Sequence, residues 1–144
     1  MDFLSSMRIS SSGMTANRRR MNTISSNIAN VNTTRTPEGG PYRRKDVVLE
    51  AIPDAKSFGE ILDTNQKKLN RVQVTDIAVD QTAPRLVYDP NHIDANEQGY
   101  VAYPNINLME EMAGMIQATR AYEANASALG ASKNMAMTAL EIGR

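Results

Sequence analysis

Residues 105–144, NINLMEEMAGMIQATRAYEANASALGASKNMAMTALEIGR, decide the fold. Apolar side chains recur at Leu108, Met115, Tyr122, Leu129 and Ala136, one every seven residues. A second row, Met112, Thr119, Ala126, Lys133 and Leu140, stands four positions on and lapses at Thr119 and Lys133. Rows alternating by four and three share one face of an α-helix, and a strict seven-residue repeat favours supercoiling with a partner helix. Asn107 followed by Glu110 marks a start at which each side chain can satisfy a free backbone amide. Gly143 stands where a helix end favours glycine. At ~1.5 Å per residue the helix is roughly 55 Å long, more than a domain of this size covers by itself. Its seam calls for a partner.

The N-terminal segment repeats the pattern. Met7, Met14, Met21 and Ile28 are spaced by seven, with Phe3, Ile24 and Val31 on the neighbouring row and Ser10 and Asn17 interrupting it. A helix over residues 3–30 is expected, weak in isolation because its seam is narrow and its serines and Gly13 lower helix propensity. Heptad helices at both termini are expected to pack together as a coiled-coil stalk, so the chain leaves and returns to one axial bundle.

Between them the character changes. Asn32-Thr33-Thr34 and Pro37-Glu38-Gly39-Gly40-Pro41 break the helix. Val47, Val48, Leu49, Ala51 and Ile52 form a strand-like run stopped by Pro53, and residues 54–68 are polar and ambiguous. Alternation returns at Val72, Val74, Ile77 and Val79, imperfect around Asp76, as in half-buried strands. Leu86-Val87-Tyr88 is another short run, followed by turn chemistry from Asp89 to Gly99. Tyr100 to Pro104 then leads into the last helix. The expected fold is mainly α with a small β-rich insert: an axial helix over 1–31, the insert over 32–104 and a second axial helix over 105–144. Three or four short strands make a marginal domain alone.

Composition narrows the function classes. The 144 residues are 41% apolar but only 5% aromatic, with nine Met and no Trp, which suits a helix seam better than an interlocked core. Sixteen basic residues balance sixteen acidic ones, so no global field favours nucleic acid or anionic lipid. Without Cys there are neither disulfides nor thiolate metal sites. The N-terminus carries the early acid Asp2 and no unbroken apolar stretch of about 7–15 residues, so no Sec signal peptide is expected. No run approaches the ~20 apolar residues of a membrane span.

Candidate chemistry is sparse. His92, the only histidine, has Asp89, Asp94 and Glu97 nearby. It lacks a second nitrogen ligand, and its neighbours already explain a turn. Asp94 to Gly99 half-matches a calcium loop, but the twelfth position is Asn105 rather than Glu. Three basic runs, Arg18-Arg19-Arg20, Arg43-Arg44-Lys45 and Lys67-Lys68, lack neighbouring aromatics and fit a solvated face or inter-subunit pairing better than phosphate contacts. No phosphate loop, nucleophile elbow or paired-carboxylate motif is present. No catalytic residue, metal ligand, cofactor, nucleic acid or small-molecule substrate is therefore assigned. Asn27, Asn30 and Asn32 are more informative: Asn is disfavoured inside helices and favoured where a chain turns out of one. They mark a specified helix exit.

These residues carry a resemblance. Ser26-Asn27-Ile28-Ala29-Asn30-Val31-Asn32-Thr33-Thr34 resembles the N-terminal signature of bacterial flagellar axial proteins, with Asn27, Ala29, Asn30, Asn32 and Thr34 as motif positions. Asn107 to Met112 and Arg120 to Ala126 resemble the C-terminal signature. Thr36 to Lys45 and the segment from Tyr88 to Asn105 narrow the likeness to the C-type subunits of the proximal rod, as does the short length. Ile93 stands where Pro is expected. Residues 54–80 are weakly diagnostic.

The resemblance implies a structural subunit, not an enzyme. Such subunits are exported unfolded by the flagellar type III apparatus through the growing channel without a cleaved signal, then assemble helically across the periplasm as a torque-transmitting rod in the basal body. The implied partners are other rod subunits, copies of itself, the rod-base adaptor and the membrane-ring protein. Another axial or adaptor protein of the same export class is the alternative. The expected subunit interface comprises Met7, Met14, Met21, Ile28, Leu108, Met112, Met115, Tyr122, Leu129 and Leu140. Replacing Tyr122 or Leu129 by Asp should block assembly and motility, since a charge in a packed seam costs on the order of 3–5 kcal/mol. Lys133→Asp should be milder, and equal severity at all three positions in a motility assay would show the seam to be misassigned.

Overall fold

The computed structural model describes residues 3–53 and 69–143. Two long helices, α1 (Phe3–Ala29) and α2 (Leu108–Ile142), flank four strands. Strands β1 (Lys45–Pro53) and β2 (Asn70–Val79) form one antiparallel pair, and β3 (Arg85–Tyr88) and β4 (Tyr100–Tyr103) form another. The architecture is mainly helical with a β insert. The expected strand runs are all present, as two separate two-stranded sheets.

The layers follow from which elements touch. α1 lies in the middle, with α2 on one side and β1–β2 on the other. Among the described helices and strands, α2 touches only α1, and β3–β4 touches neither helix. The helices run antiparallel. Ser6 Oγ meets Ser132 Oγ at 3.5 Å near one end, and Asn27 Nδ2 donates to Glu111 Oε2 at 3.0 Å near the other.

The α2 face turned to α1 differs from the sequence expectation by one position in one of its rows. Met115, Tyr122, Leu129 and Ala136 are half-buried as one row. The row alternating with them is Glu111, Ala118, Asn125 and Ser132, not Met112, Thr119, Ala126, Lys133 and Leu140. Thr119 is half-buried, while Met112, Ala126, Lys133 and Leu140 are exposed. Small size decides the matter. Gly13 of α1 sits so close to Asn125 that a Cβ there would stand 3.0 Å from its amide nitrogen. At Gly114 an added Cβ would touch Ile24 at 3.4 Å. Large methionines on this row would hold the backbones apart, whereas glycine, serine and alanine let them close. Ser10, expected to weaken the α1 row, is buried for the same reason.

Ends and irregularities have local causes. Asn107 Oδ1 accepts from Met109 N at 3.1 Å and starts α2. Glu110 makes no return bond among the described residues, so only half of the expected reciprocal cap forms. Gly143 closes the helix at φ −83°, without using the left-handed freedom that glycine offers. The break in alternation near Asp76 is a β-bulge: Val48 pairs with Asp76 but Leu49 with Val74, leaving Thr75 over. The bulge absorbs the extra residue, so Val72, Val74, Ile77 and Val79, opposite Ala51, Leu49, Val47 and Lys45, share one face of the pair. On that face Val72 and Val74 are half-buried, while Ile77 and Val79 are exposed.

The buried apolar set among the described residues is small, namely Ala16, Ile24, Val101 and Ala118. Gly130→Ala and Gly13→Val should therefore move stability in opposite directions. Open space surrounds Gly130, so Ala there should raise the melting temperature through helix propensity, by roughly 0.5–1 kcal/mol. Gly13→Val should lower it by about 1–3 kcal/mol, because the branched side chain meets Asn125. Thermal unfolding followed by circular dichroism measures both.

Candidate functional site

The asparagines that mark the helix exit do three different things. Asn30 is a local cap: its Nδ2 donates to Ser26 O at 2.9 Å and its Oδ1 accepts from Thr33 Oγ1 at 3.1 Å. Asn32 is exposed, as is Ala29. Asn27 instead reaches across the fold and is 0% exposed. Its Nδ2 donates to Lys45 O at 2.8 Å and to Glu111 Oε2 at 3.0 Å. Its Oδ1 accepts from Lys45 N at 3.0 Å and from Tyr42 OH at 3.1 Å. A primary amide has two N–H donors and two lone pairs on oxygen, and here all are used. The orientation is fixed by the partners, since a flipped amide would set oxygen against Lys45 O and Glu111.

This side chain therefore imitates a strand. By exchanging N–H···O bonds with both backbone groups of Lys45 it anchors the first residue of β1 to the end of α1. Through Glu111 it anchors the same point to the first turn of α2. Glu111 is 3% exposed, and its other oxygen, Oε1, accepts from Arg44 Nε at 2.7 Å. Burial works against the Arg44 charge, but the hydrogen bond and attraction of Glu111, with Asp46 adding, outweigh it and hold the guanidinium pKa above its usual value. Two residues of the basic run 43–45 thus serve the fold from within. Arg43 donates to Gln81 Oε1 at 2.7 Å, and Lys45 Nζ lies 5.7 Å from the centre of the Tyr42 ring. Lys67 and Lys68 lie outside the described residues.

Thr34, the last motif position, holds the second sheet. Its Oγ1 donates to Asp94 Oδ2 at 2.8 Å, which fastens the β3–β4 connection to the helix exit. Within that connection His92 Nδ1 accepts from Asp94 N at 3.1 Å, so the lone histidine braces a turn. Gly99 is required there. Its φ is +78°, and a Cβ would come within 2.9 Å of Tyr88 Cε2. Tyr88 in turn packs edge-on against Tyr100 with ring centres 5.3 Å apart. Among the described residues no cluster of His, Cys, Asp and Glu could hold a metal ion.

The expected interface residues fall into two groups. Met7, Met14, Met21, Ile28, Met115, Tyr122 and Leu129 are half-buried within the chain. Thr119 Oγ1 approaches Met21 Sδ at 3.5 Å there. Leu108, Met112 and Leu140 are exposed. Sequence reasoning did not single out the other exposed apolar residues of α2: Met109, Ile116, Met135, Met137 and Ile142. Nor did it find Glu111 and Arg44 as a pair. The second of two adjacent acids, Glu110 and Glu111, one residue ahead of Met112, was the available signal.

Comparison with known proteins fits this geometry at both ends. Residues 7–35 match the family described as flagella basal body rod protein, and residues 97–142 match flagellar basal body rod FlgEFG protein C-terminal. These spans take in the helix exit and α2. The chain is 44% identical to the flagellar basal-body rod protein FlgC of Bacillus subtilis, over 96% of this chain and 97% of the relative. It is 42% identical to FlgC of Borreliella burgdorferi, over 99% and 98%, and 32% identical to FlgC of Salmonella typhimurium over the full length of both. With likeness of this extent, the chain belongs to the FlgC family of flagellar basal-body rod proteins and is a structural subunit of that rod.

Proposed function

We propose that this chain is a subunit of the proximal part of the rod, a non-enzymatic piece of drive shaft that assembles helically across the periplasm and transmits torque. In this reading residues 1–31 and 105–144 form the inner tube around the export channel, their helices paired as a coiled coil and joined by neighbouring subunits. Residues 32–104 project outward as the insert. Copies of the chain, other rod subunits, the rod-base adaptor and the membrane-ring protein are the partners, and the type III export apparatus delivers it without a cleaved signal. No cofactor takes part.

One observation carries the reading. α2 is 35 residues long and has one neighbour among the described helices and strands, so large apolar side chains stay in water: Met109 is 73% exposed, Met135 66% and Leu140 74%. Each fully buried Leu- or Met-sized side chain contributes about 1.5–3 kcal/mol, so covering this row is a strong drive to associate. A face that remains open after intrachain packing, and that no closed contact exhausts, suits a tube built by head-to-tail addition. None of the described helices is long and apolar enough to cross a membrane.

Two sets of substitutions separate assembly from folding. Ile116→Asp and Met135→Asp should leave the monomer's melting temperature within a degree or two while abolishing incorporation into purified basal bodies. Asn27→Ala should unfold the monomer by on the order of 3–5 kcal/mol, because it strands both Lys45 backbone groups and one oxygen of Glu111. Asn27→Asp, nearly identical in size, should be at least as severe, since it sets a carboxylate against Lys45 O and Glu111. Basal bodies containing either α2 variant at the normal level would sink the assembly reading.

A further inference from the structure

Among the described residues β1–β2 is a two-stranded sheet, so each strand is an edge with backbone groups turned away from the ladder. Those outward groups can be followed through their partners, because an N–H given to a side chain outside the ladder points away from it. On β1, Lys45 N donates to Asn27 Oδ1 at 3.0 Å and Val47 N to Asp46 Oδ1 at 2.8 Å. On β2, Val72 N donates to Ser12 Oγ at 3.2 Å and Ile77 N to Asp76 Oδ1 at 2.7 Å. Asn27 and Ser12 belong to α1. The helix therefore meets the β1 edge near one end of the pair and the β2 edge near the other. It crosses obliquely and shields neither edge along its whole length.

The two aspartates act where α1 does not. Val47 and Ile77 are register partners, so Asp46 and Asp76 occupy outward amides at the same rung on opposite edges. Aspartate is depleted in strands, yet both strands carry one beside this rung. Both are exposed, so each also sets a charge on its edge. Arg44 Nη1 lies 3.5 Å from Asp46 Oδ2, which leaves Oδ1 to Val47. At the far end of β1, Pro53 falls on the same alternation as Lys45 and Val47 and has no N–H to offer. Between Asp46 and Pro53 runs Val47-Val48-Leu49-Glu50-Ala51-Ile52, six residues with a single charge. Val48 and Leu49 are exposed. A run of this kind with free edge amides adds strands from other chains, and a charge or a proline at its flanks opposes the addition.

We propose that Asp46 and Asp76 are edge guards, which keep β1–β2 from pairing with a strand of a second copy of this chain by occupying the amides of Val47 and Ile77. This goes beyond the assembly reading and does not need it. Where that reading holds, the guards keep the sheet out of an association that the helices direct.

Asp46→Ala/Asp76→Ala frees both amides in the full-length chain while adding little apolar surface. Its self-association constant, measured by sedimentation, should rise about tenfold or more, as expected for one or two added backbone hydrogen bonds per copy. Hydrogen exchange over residues 47–52 should slow with increasing concentration, and exchange in the helices should not. Asp46→Asn/Asp76→Asn keeps an oxygen acceptor for each amide and should associate as weakly as the parent chain. Asp46→Ala alone should show part of the rise, and Asp46→Ala/Val47→Pro none of it, because proline removes an N–H that the ladder does not use. Every chain is also measured with Met135→Asp, so that association through the apolar face of α2 is counted separately. Alanine variants that associate no more than the parent would overturn the proposal. So would a rise that persists with Val47→Pro, vanishes with Met135→Asp, or slows exchange only in the helices. A clear fall in the melting temperature of Asp46→Ala/Asp76→Ala would also overturn it, by showing that the carboxylates serve the fold of one chain rather than its edges.

Discussion

A single primary amide holds the parts of this molecule in register. Asn27 spends both donors and both lone pairs inside the protein, and its four bonds reach a strand backbone, a tyrosine and a carboxylate from the other end of the chain. A buried polar group is costly when half-satisfied and specifying when fully satisfied. Here the network specifies one relation between α1, β1 and α2. It also makes Glu111 tolerable, because a buried carboxylate with Arg44 on one oxygen and Asn27 on the other has replacements for the water it lost.

The seam between the helices follows from the same preference for fit over bulk. Glycine, serine and alanine occupy the closest contacts, while Met109, Met112, Met135, Met137 and Leu140 of α2 remain outside. A chain optimised to be a stable monomer would do the reverse, since burial scales with apolar area. The arrangement separates two tasks. Small and polar residues decide how the two helices of one chain meet, and large apolar residues are kept available for surfaces that form later. Flexible methionine suits that second task because it adapts to more than one neighbouring shape.

Much of this was legible in the sequence. Seven-residue spacing identified both helices, and their ends at residues 29 and 142 lie close to the expected ones. Valine-rich runs located the strands, and the fault in alternation near Asp76 was the bulge seen from outside. The row of α2 that meets α1 was not legible, because periodicity ranks residues by hydrophobicity while close helix packing selects by size. Glu111 and Asn125 carry no hydrophobic signal and so stand outside the expected rows for that reason. Asn27 was noticed for its residue type but taken with Asn30 as part of a helix exit. Its real partners lie 18 and 84 positions away, beyond what local spacing conveys.

The antiparallel register of α1 and α2 also has a consequence in time. It pairs Ser6 with Ser132 and Asn27 with Glu111, so the contacts between the two helices wait for the last third of the chain. Closing loops of that span is slow compared with forming local turns, and a chain that emerges by its N-terminus cannot begin until most of it is free. The β1–β2 pair and its bonds to Asn27 can form earlier, but they leave the α2 side of the first helix uncovered. Topology alone thus postpones the native state: while passing through any narrow conduit the polypeptide remains thread, and it becomes an object only at the far side.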